Sequence, residues 1–316
     1  MTHALTADGR LRHLLTLEGL GGDRLHALLD AAQALRPHAL SGVSQRSVLA
    51  GKTVCNLFFE NSTRTRTSFQ LAAQRLGADV VNFDVGASSV KKGESALDTL
   101  RTLEAMGVDA FVIRHAEDGA VAALAEGALP STHLLNAGDG RSAHPTQGLL
   151  DLLTIRQHKG RDVSGLSVLV VGDVRHSRVA RSDLHGLKAL GCRDIRVCGP
   201  VNLMPEAEAT QGCTVGESLD ALIDGVDVVM MLRLQRERME EGLVPSLEGY
   251  YRDFGLDAER LAKARPDAIV MHPGPMNRGI EIAGEVADGP QSVILEQVSN
   301  GVAVRMAVLA ALLGAH

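Results

Sequence analysis

The densest chemistry in the chain lies at residues 62–68, where the sequence VCNLFFENSTRTRTSF turns from an apolar run into Ser62-Thr63-Arg64-Thr65-Arg66-Thr67-Ser68. Two guanidinium groups stand among hydroxyls directly after a strand-like segment and directly before residues at helical spacing. A helix that starts here points its first-turn amides at whatever lies in front, and Ser62, Thr63 and Thr65 add further donors. Arg64 or Arg66 could then give paired, charge-assisted bonds to phosphate oxygens. A capped helix with solvated arginines is the plainer alternative, and Arg66 is left outside the candidate site.

Similar groups follow other strand-like runs. Residues 87–95, ASSVKKGES, are basic and rich in small residues. They suit a solvated loop, or a mobile flap that brings Lys92 and a serine, Ser88 or Ser89, to a bound anion. Arg114 ends an apolar run, and burying an unpaired guanidinium is costly, so an anionic partner such as Glu60 is expected. The stretch NAGDGRSAHPTQ places His144 before Pro145 and Gln147 one helical turn later. His144 could cap that helix, or with Gln147 donate to a carbonyl oxygen. Further on, Gly172-Asp173 leads to Arg178, and Leu232 to Arg233-Leu234-Gln235. Read singly the two arginines are surface residues, and as a pair they could clamp two carboxylates. His272-Pro273-Gly274-Pro275 is either a loop terminator or a turn whose carbonyls are fixed by Pro273 and Pro275 as acceptors for an amino group. Asp173 follows a strand as in nucleotide folds, but VLVVGDVRHSRVARS lacks the three-glycine fingerprint, which disfavours dinucleotide binding.

These groups need a scaffold that gathers strand ends. Candidate strands fall at 53–59, 79–83, 110–114, 133–135, 167–172, 194–198, 226–232 and 268–271. Several are almost continuously apolar, as strands covered on both faces must be. Between them run helical patterns: Phe69, Ala72, Ala73 and Leu76 share one face, as do Ala96, Leu100 and Leu103. The alternation predicts an α/β fold of two doubly wound parallel-sheet domains, with the active site in the cleft between them. Pro145 suits a first helical position, and Leu149, Leu152 and Leu153 share a face of the helix it would start. A polar stretch, 159–165, precedes the next strand. The expected domains are therefore 1–150 and 151–290, with 291–316 forming a C-terminal helix that closes back on the first.

The whole-chain numbers set limits. A length of 316 residues suits two domains, and 45% hydrophobic with 22% charged residues suits globular cores. A formal net charge of −6 disfavours a nucleic-acid surface, so an anion site must be built locally. Neither a signal peptide nor a membrane span is expected; the apolar stretch 302–313 is interrupted by Arg305 and reads as a buried closing helix. The four cysteines, Cys55, Cys192, Cys198 and Cys213, form no CxxC pair and no metal spacing, so buried thiols in a reducing cytoplasm are expected.

Taken in order, FFENSTRTRTSF, VKKGES, RH, NAGDGRSAHPTQGLLDLLTI, VGD, LRLQRER and MHPGPMNRGIEI resemble the catalytic chains of the aspartate carbamoyltransferase family. The likeness covers roughly residues 51–305. STRTR with HPTQ points to carbamoyltransferases generally, and RxQxER with HPGP to the aspartate branch. The ornithine branch typically carries HPCQ, HCLP and a D-x-x-x-S-M-G loop, none of which is present. The resemblance implies transfer of a carbamoyl group from carbamoyl phosphate to L-aspartate, in pyrimidine biosynthesis, with no cofactor and no metal. It implies that Ser62, Thr63, Arg64 and Thr65 hold the phosphate, and that Arg114, His144 and Gln147 bind the carbamoyl portion. Arg178, Arg233 and Gln235 would bind the aspartate carboxylates, while the Gly274 carbonyl, between Pro273 and Pro275, orients the amine. Arg64, Thr65, Lys92, Arg114 and His144 would be the catalytic set. Ser88 and Lys92 match a loop lent to a neighbouring subunit, which implies a homotrimer with shared active sites. A regulatory chain or dihydroorotase as further partner stays open; nucleic acid and membrane are not implied. Many members carry leucine between the two prolines where this chain has glycine, which puts the tightness of that turn in question.

Overall fold

The computed structural model describes residues 5–6, 9–41, 47–83, 93–235 and 246–314. The chain divides into two compact units, one up to Leu150 that also takes in the chain from Ser299 onward, and one spanning Asp151–Val298.

The first unit opens with helix α1 (Gly22–Ser41) and continues through β1 (Thr53–Phe58), α2 (Thr63–Leu76), β2 (Asp79–Phe83), α3 (Ala96–Ala105), β3 (Ala110–His115), α4 (Ala120–Gly127) and β4 (His133–Asp139). The strands form one parallel sheet in the order β2-β1-β3-β4. Its apolar faces are covered as the sequence pattern requires: Cys55, Leu57, Phe111 and Ile113 pack with Leu100, Val121 and Leu124 of the flanking helices. The helical stripe Phe69, Ala72, Ala73 and Leu76 is fully buried. β2 departs from the expectation of two covered faces. It is an edge strand, and Asp79, Val81 and Asn82 are exposed in this chain.

Helix α5 (Pro145–Lys159) begins at the proline, which supplies a preset φ where no intrahelical donor is needed. The second unit then runs β5 (Ser167–Val171), α6 (Arg178–Ala189), β6 (Asp194–Cys198), β7 (Thr214–Gly216), α7 (Leu219–Leu222), β8 (Val228–Met231), α8 (Leu247–Phe254), α9 (Ala258–Leu261), β9 (Ile269–Met271), α10 (Gly284–Ala287) and α11 (Ile294–Leu313). Its parallel sheet has the order β7-β6-β5-β8-β9. β7 is a short edge strand that the alternating pattern does not predict. Leu169, Val171, Val229, Met231 and Val270 build the core with Ile223, Leu261, Ile282 and Ile294.

From Ser299 on, α11 belongs to the first unit. Nε of Arg36 on α1 donates to Asn300 Oδ1 at 3.0 Å, and the Arg305 guanidinium sits 4.9 Å above the Phe69 ring. The helix is apolar and long enough to cross a bilayer by composition alone. Its burial marks it as a core helix: Ala303, Val304, Met306, Val308 and Leu309 are at most 1% exposed. Arg305 interrupts the apolar stretch, yet its guanidinium is buried against an aromatic face rather than solvated.

Candidate active site

In each sheet the strand order reverses direction once, between β1 and β3 in the first unit and between β5 and β8 in the second. At such a switch point the loops leaving adjacent strands diverge to opposite faces and leave room beyond the carboxyl ends of the strands. The candidate residues gather at these two places.

At the first switch point, β1 ends at Phe58 and α2 begins at Thr63. Ser62 is the N-cap residue, extended at φ −157° and ψ 103°, and its hydroxyl makes no bond to its own helix. The first-turn amides are therefore not capped by the Ser62 side chain, and a helix start of this kind suits an anion. Thr65 is buried, Ser62 half-buried, and Thr63, Arg64 and Arg66 exposed. The Arg114 side chain, 11% exposed, stands next to last in β3 and forms an ion pair with Glu60 Oε1 at 2.8 Å. It also donates to the Ala137 carbonyl at 3.0 Å. The β3–β4 register shifts between Ile113 and His115, where Ala137 and Gly138 of β4 stand opposite the single residue Arg114. Glu60 is the carboxylate partner expected for Arg114, so the guanidinium is held from two sides at the first switch point.

Next to β3, the loop after β4 presents His144, which is 4% exposed, and Gln147, half-buried on the first turn of α5. Residues that the sequence reading passed over shape this loop. Asp139 Oδ1 accepts from Asn136 Nδ2 at 2.7 Å and from the Ala143 amide at 3.2 Å, while its Oδ2 accepts from the Gly119 amide at 3.0 Å. One carboxylate thus ties β4, the α4 start and the residue before His144 together.

The second switch point is organised by Asp173, which is fully buried. Its Oδ1 accepts from the His176 amide at 3.2 Å and meets His176 Nδ1 at 2.8 Å. Burial pushes the Asp173 carboxyl up, and the His176 contacts oppose that shift. The turn it closes delivers Ser177, whose hydroxyl caps α6 by accepting from the Ala180 amide at 3.1 Å, and then Arg178 as the first helical residue. Arg178 is 5% exposed, so it is not the surface residue that a single-position reading favours. Arg233 and Gln235 follow β8 and are half-buried. Between them the Leu234 amide donates to Glu281 Oε1 at 2.9 Å, and Glu281 Oε2 accepts from the Asn277 amide at 2.7 Å. Glu281 is fully buried, and desolvation raises its carboxyl above the usual range. It couples the Arg233–Gln235 segment to the chain just past the HPGP turn.

That turn follows β9. Gly274 has φ +59°, in the left-handed region where a glycine carries no Cβ penalty. Its amide donates to His272 Nδ1 at 2.8 Å. The imidazole therefore braces the turn from inside, and the glycine between Pro273 and Pro275 is the residue that the local φ favours. Ser88 and Lys92 lie outside the described residues. From the same segment Ser95 is described, and it caps α3 by accepting from the Asp98 amide at 3.1 Å.

Two family models match this chain. Residues 12–157 match the aspartate/ornithine carbamoyltransferase carbamoyl-P binding domain, and residues 164–312 match the aspartate/ornithine carbamoyltransferase Asp/Orn binding domain. The chain belongs to the aspartate/ornithine carbamoyltransferase family. Within this family it is 66% identical over 313 residues to a protein of Xanthomonas campestris pv. campestris named aspartate carbamoyltransferase catalytic subunit, covering 99% of each chain. Its structure is similar to that of the Trypanosoma cruzi aspartate transcarbamoylase in complex with carbamoyl phosphate and aspartate, with TM-score 0.85 and 33% identity, over 96% of this chain and 97% of that one. It is almost as similar to the Thermus thermophilus ornithine carbamoyltransferase, with TM-score 0.84 and 28% identity over 96% and 99% of the two chains. The fold is therefore shared by aspartate and ornithine carbamoyltransferases. Within the stretch matched by the first model the candidate residues lie at or beyond the ends of β1, β3 and β4, and within that matched by the second they lie beyond the ends of β5, β8 and β9.

Proposed function

We propose that this chain transfers the carbamoyl group of carbamoyl phosphate to the amino group of L-aspartate, giving N-carbamoyl-L-aspartate and phosphate. The observation that carries this reading is the placement of two cationic, hydrogen-bonding sets at the switch points of an acidic protein. Such an inventory suits two anionic reactants, one an acyl phosphate and the other a dicarboxylate. The full-length likeness to aspartate carbamoyltransferase catalytic subunits supports the choice of aspartate.

In this reading Ser62, Thr63, Arg64 and Thr65, with the α2 amides, hold the phosphate. Arg114, His144 and Gln147 surround the carbamoyl group. The amine nitrogen attacks the carbonyl carbon, negative charge grows on the carbonyl oxygen, and the carbon–oxygen bond to phosphate then breaks. Thr65, Arg114 and His144 are the donors for that oxygen, and the departing phosphate accepts the amine proton, so no separate protein base is required. Donors held before the reaction contribute the largest share, since they need no reorganisation as charge develops. Arg178, Arg233 and Gln235 bind the two carboxylates, and the Gly274 carbonyl accepts from the amine. A cationic ornithine side chain set opposite Arg178 and Arg233 would leave guanidinium charges without a counter-charge, a stronger rejection than size alone provides. Ser88 and Lys92 serve a neighbouring subunit, in a homotrimer.

The test is a product assay with carbamoyl phosphate and each amino acid in turn. Aspartate should be carbamoylated and ornithine not; the reverse result overturns the reading. Arg64→Ala should lower kcat by about 10²–10³, the scale of an oxyanion-donor deletion. An Arg64→Ala enzyme with wild-type turnover would remove the phosphate site from residues 62–65.

A further inference from the structure

Behind the HPGP turn runs a buried polar chain to which the proposed chemistry gives no task. The His272 amide donates to Gln297 Oε1 at 2.9 Å, and Gln297 Nε2 donates to Asp151 Oδ1 at 2.7 Å. Gln297 is 2% exposed, Asp151 0% and His272 1%. The next member is Asp183 on α6, 1% exposed, whose carboxyl faces that of Asp151. Among the described residues no N–H or O–H group donates to either oxygen of Asp183. Two buried carboxylates cannot both be ionised at contact, and a proton held between them converts repulsion into an O–H···O⁻ bond. Burial first, and the neighbouring Asp151 charge second, hold the Asp183 carboxyl well above the ordinary carboxylate range. Each member then has one assignable role. Asp183 donates to Asp151, Asp151 accepts from Gln297, and Gln297 accepts from the His272 amide.

One end of this chain touches a group assigned to the second reactant, and the other lies on the helix that carries another. Asp183 lies on the helix that Arg178 starts, and His272 accepts the Gly274 amide that sets the turn. Core stability alone does not call for such a chain, because apolar residues of similar volume serve that purpose as well or better. We propose that Gln297, oriented by the Asp151–Asp183 pair, is the positioning residue that fixes the His272–Pro275 turn and thereby the Gly274 carbonyl that receives the substrate amine. This rests on the aspartate reading above and adds a buried support to it.

Gln297 alone offers an acceptor on one side and a donor on the other, so substitutions can break each half. In Gln297→Leu both bonds go; in Gln297→Glu the acceptor stays and the donor is lost. Both should raise the KM for aspartate about tenfold, the effect of one unsatisfied buried group, and leave the KM for carbamoyl phosphate within twofold. Adding Asp151→Asn to Gln297→Glu exchanges donor and acceptor and should bring the aspartate KM back toward wild type. Asp183→Asn, a neutral side chain that can still donate to Asp151, should keep the wild-type aspartate KM at neutral pH. Native-state hydrogen exchange gives a readout that needs no turnover: the His272 and Gly274 amides should exchange faster in Gln297→Leu, with the β5 and β8 amides unchanged.

The proposal is overturned if Gln297→Leu raises both KM values together, if the double variant is no better than Gln297→Glu, or if the His272 and Gly274 amides keep wild-type protection. Should the wild-type enzyme fail to carbamoylate aspartate, the functional reading falls while hydrogen exchange still decides the positioning role.

Discussion

Arg178 shows what a sequence can and cannot announce about a single residue. Its charge and its place after a strand are readable, but its burial is not, because that depends on Asp173 folding inward to close the turn before it. Asp139, Glu281 and Gln297 were passed over for a related reason. Each is an unremarkable polar residue until a partner far along the chain reaches it, 146 residues away for Gln297 and Asp151. The hydroxyl and arginine cluster at 62–68 was legible because all its groups are local, and the N-cap geometry of Ser62 needs only the strand before it and the helix after it. The Asp183 carboxyl carries a prediction of its own. Its folded pKa is raised above the ordinary 3.8, so the unfolded chain releases this proton at a lower pH than the native protein does. The contribution is fully present below that ordinary value and is lost as pH rises toward the folded pKa, at about 1.4 kcal/mol per pH unit. Asp183→Asn removes the linkage, so its Tm advantage over wild type should grow between about pH 5 and 8. A Tm difference that stays flat across that range, followed by calorimetry in matched buffers, would show that Asp183 is ionised in the fold.

At the level of elements, the alternation of apolar runs and helical stripes led to the parallel sheets, since each pattern is set by local periodicity. The exceptions have physical causes. β7 is a three-residue edge strand whose Thr214 and Val215 are exposed, so it carries no apolar run to announce it. Helix α1 buries Leu25, Leu28, Leu29 and Ala32 at i, i+3, i+4, i+7, a stripe already legible in the sequence. The end of β5 depends on one backbone position. Gly172 has φ +126°, and a Cβ there would lie 2.9 Å from Tyr250 Oη and 3.2 Å from the Leu232 carbonyl oxygen. Tyr250 is buried and Leu232 is hydrogen-bonded to Val171, so neither can withdraw freely. Gly172→Ala should therefore cost about 1–3 kcal/mol, the scale of a strained backbone position. Because Asp173 is the next residue, the aspartate KM should rise in the same variant. A thermal melt and a KM both within error of wild type would show that the strand end tolerates the methyl group.

For the whole molecule, the sharpest test concerns copies of the chain. If Ser88 and Lys92 act in a neighbour's site, Lys92→Gln and Arg64→Ala should each be severely impaired alone and recover activity when mixed under subunit exchange. Mixed trimers would contain sites that draw both groups from unaltered copies. Absence of recovery, with exchange verified by native mass measurement, would confine each site to one chain.

The unit boundaries fall at Leu150 and Asp151 and at Val298 and Ser299, inside α5 and α11 rather than in loops. For protein engineering this is a severe splicing rule. Each residue of an α-helix turns the chain by about 100°, so a graft that exchanges the amine-reading half for a relative's must preserve the residue count through both helices. One residue gained or lost would swing every downstream side chain to a different face of the helix. Chimeras joined at the surface loops would look safer on paper and would cut into a compact unit.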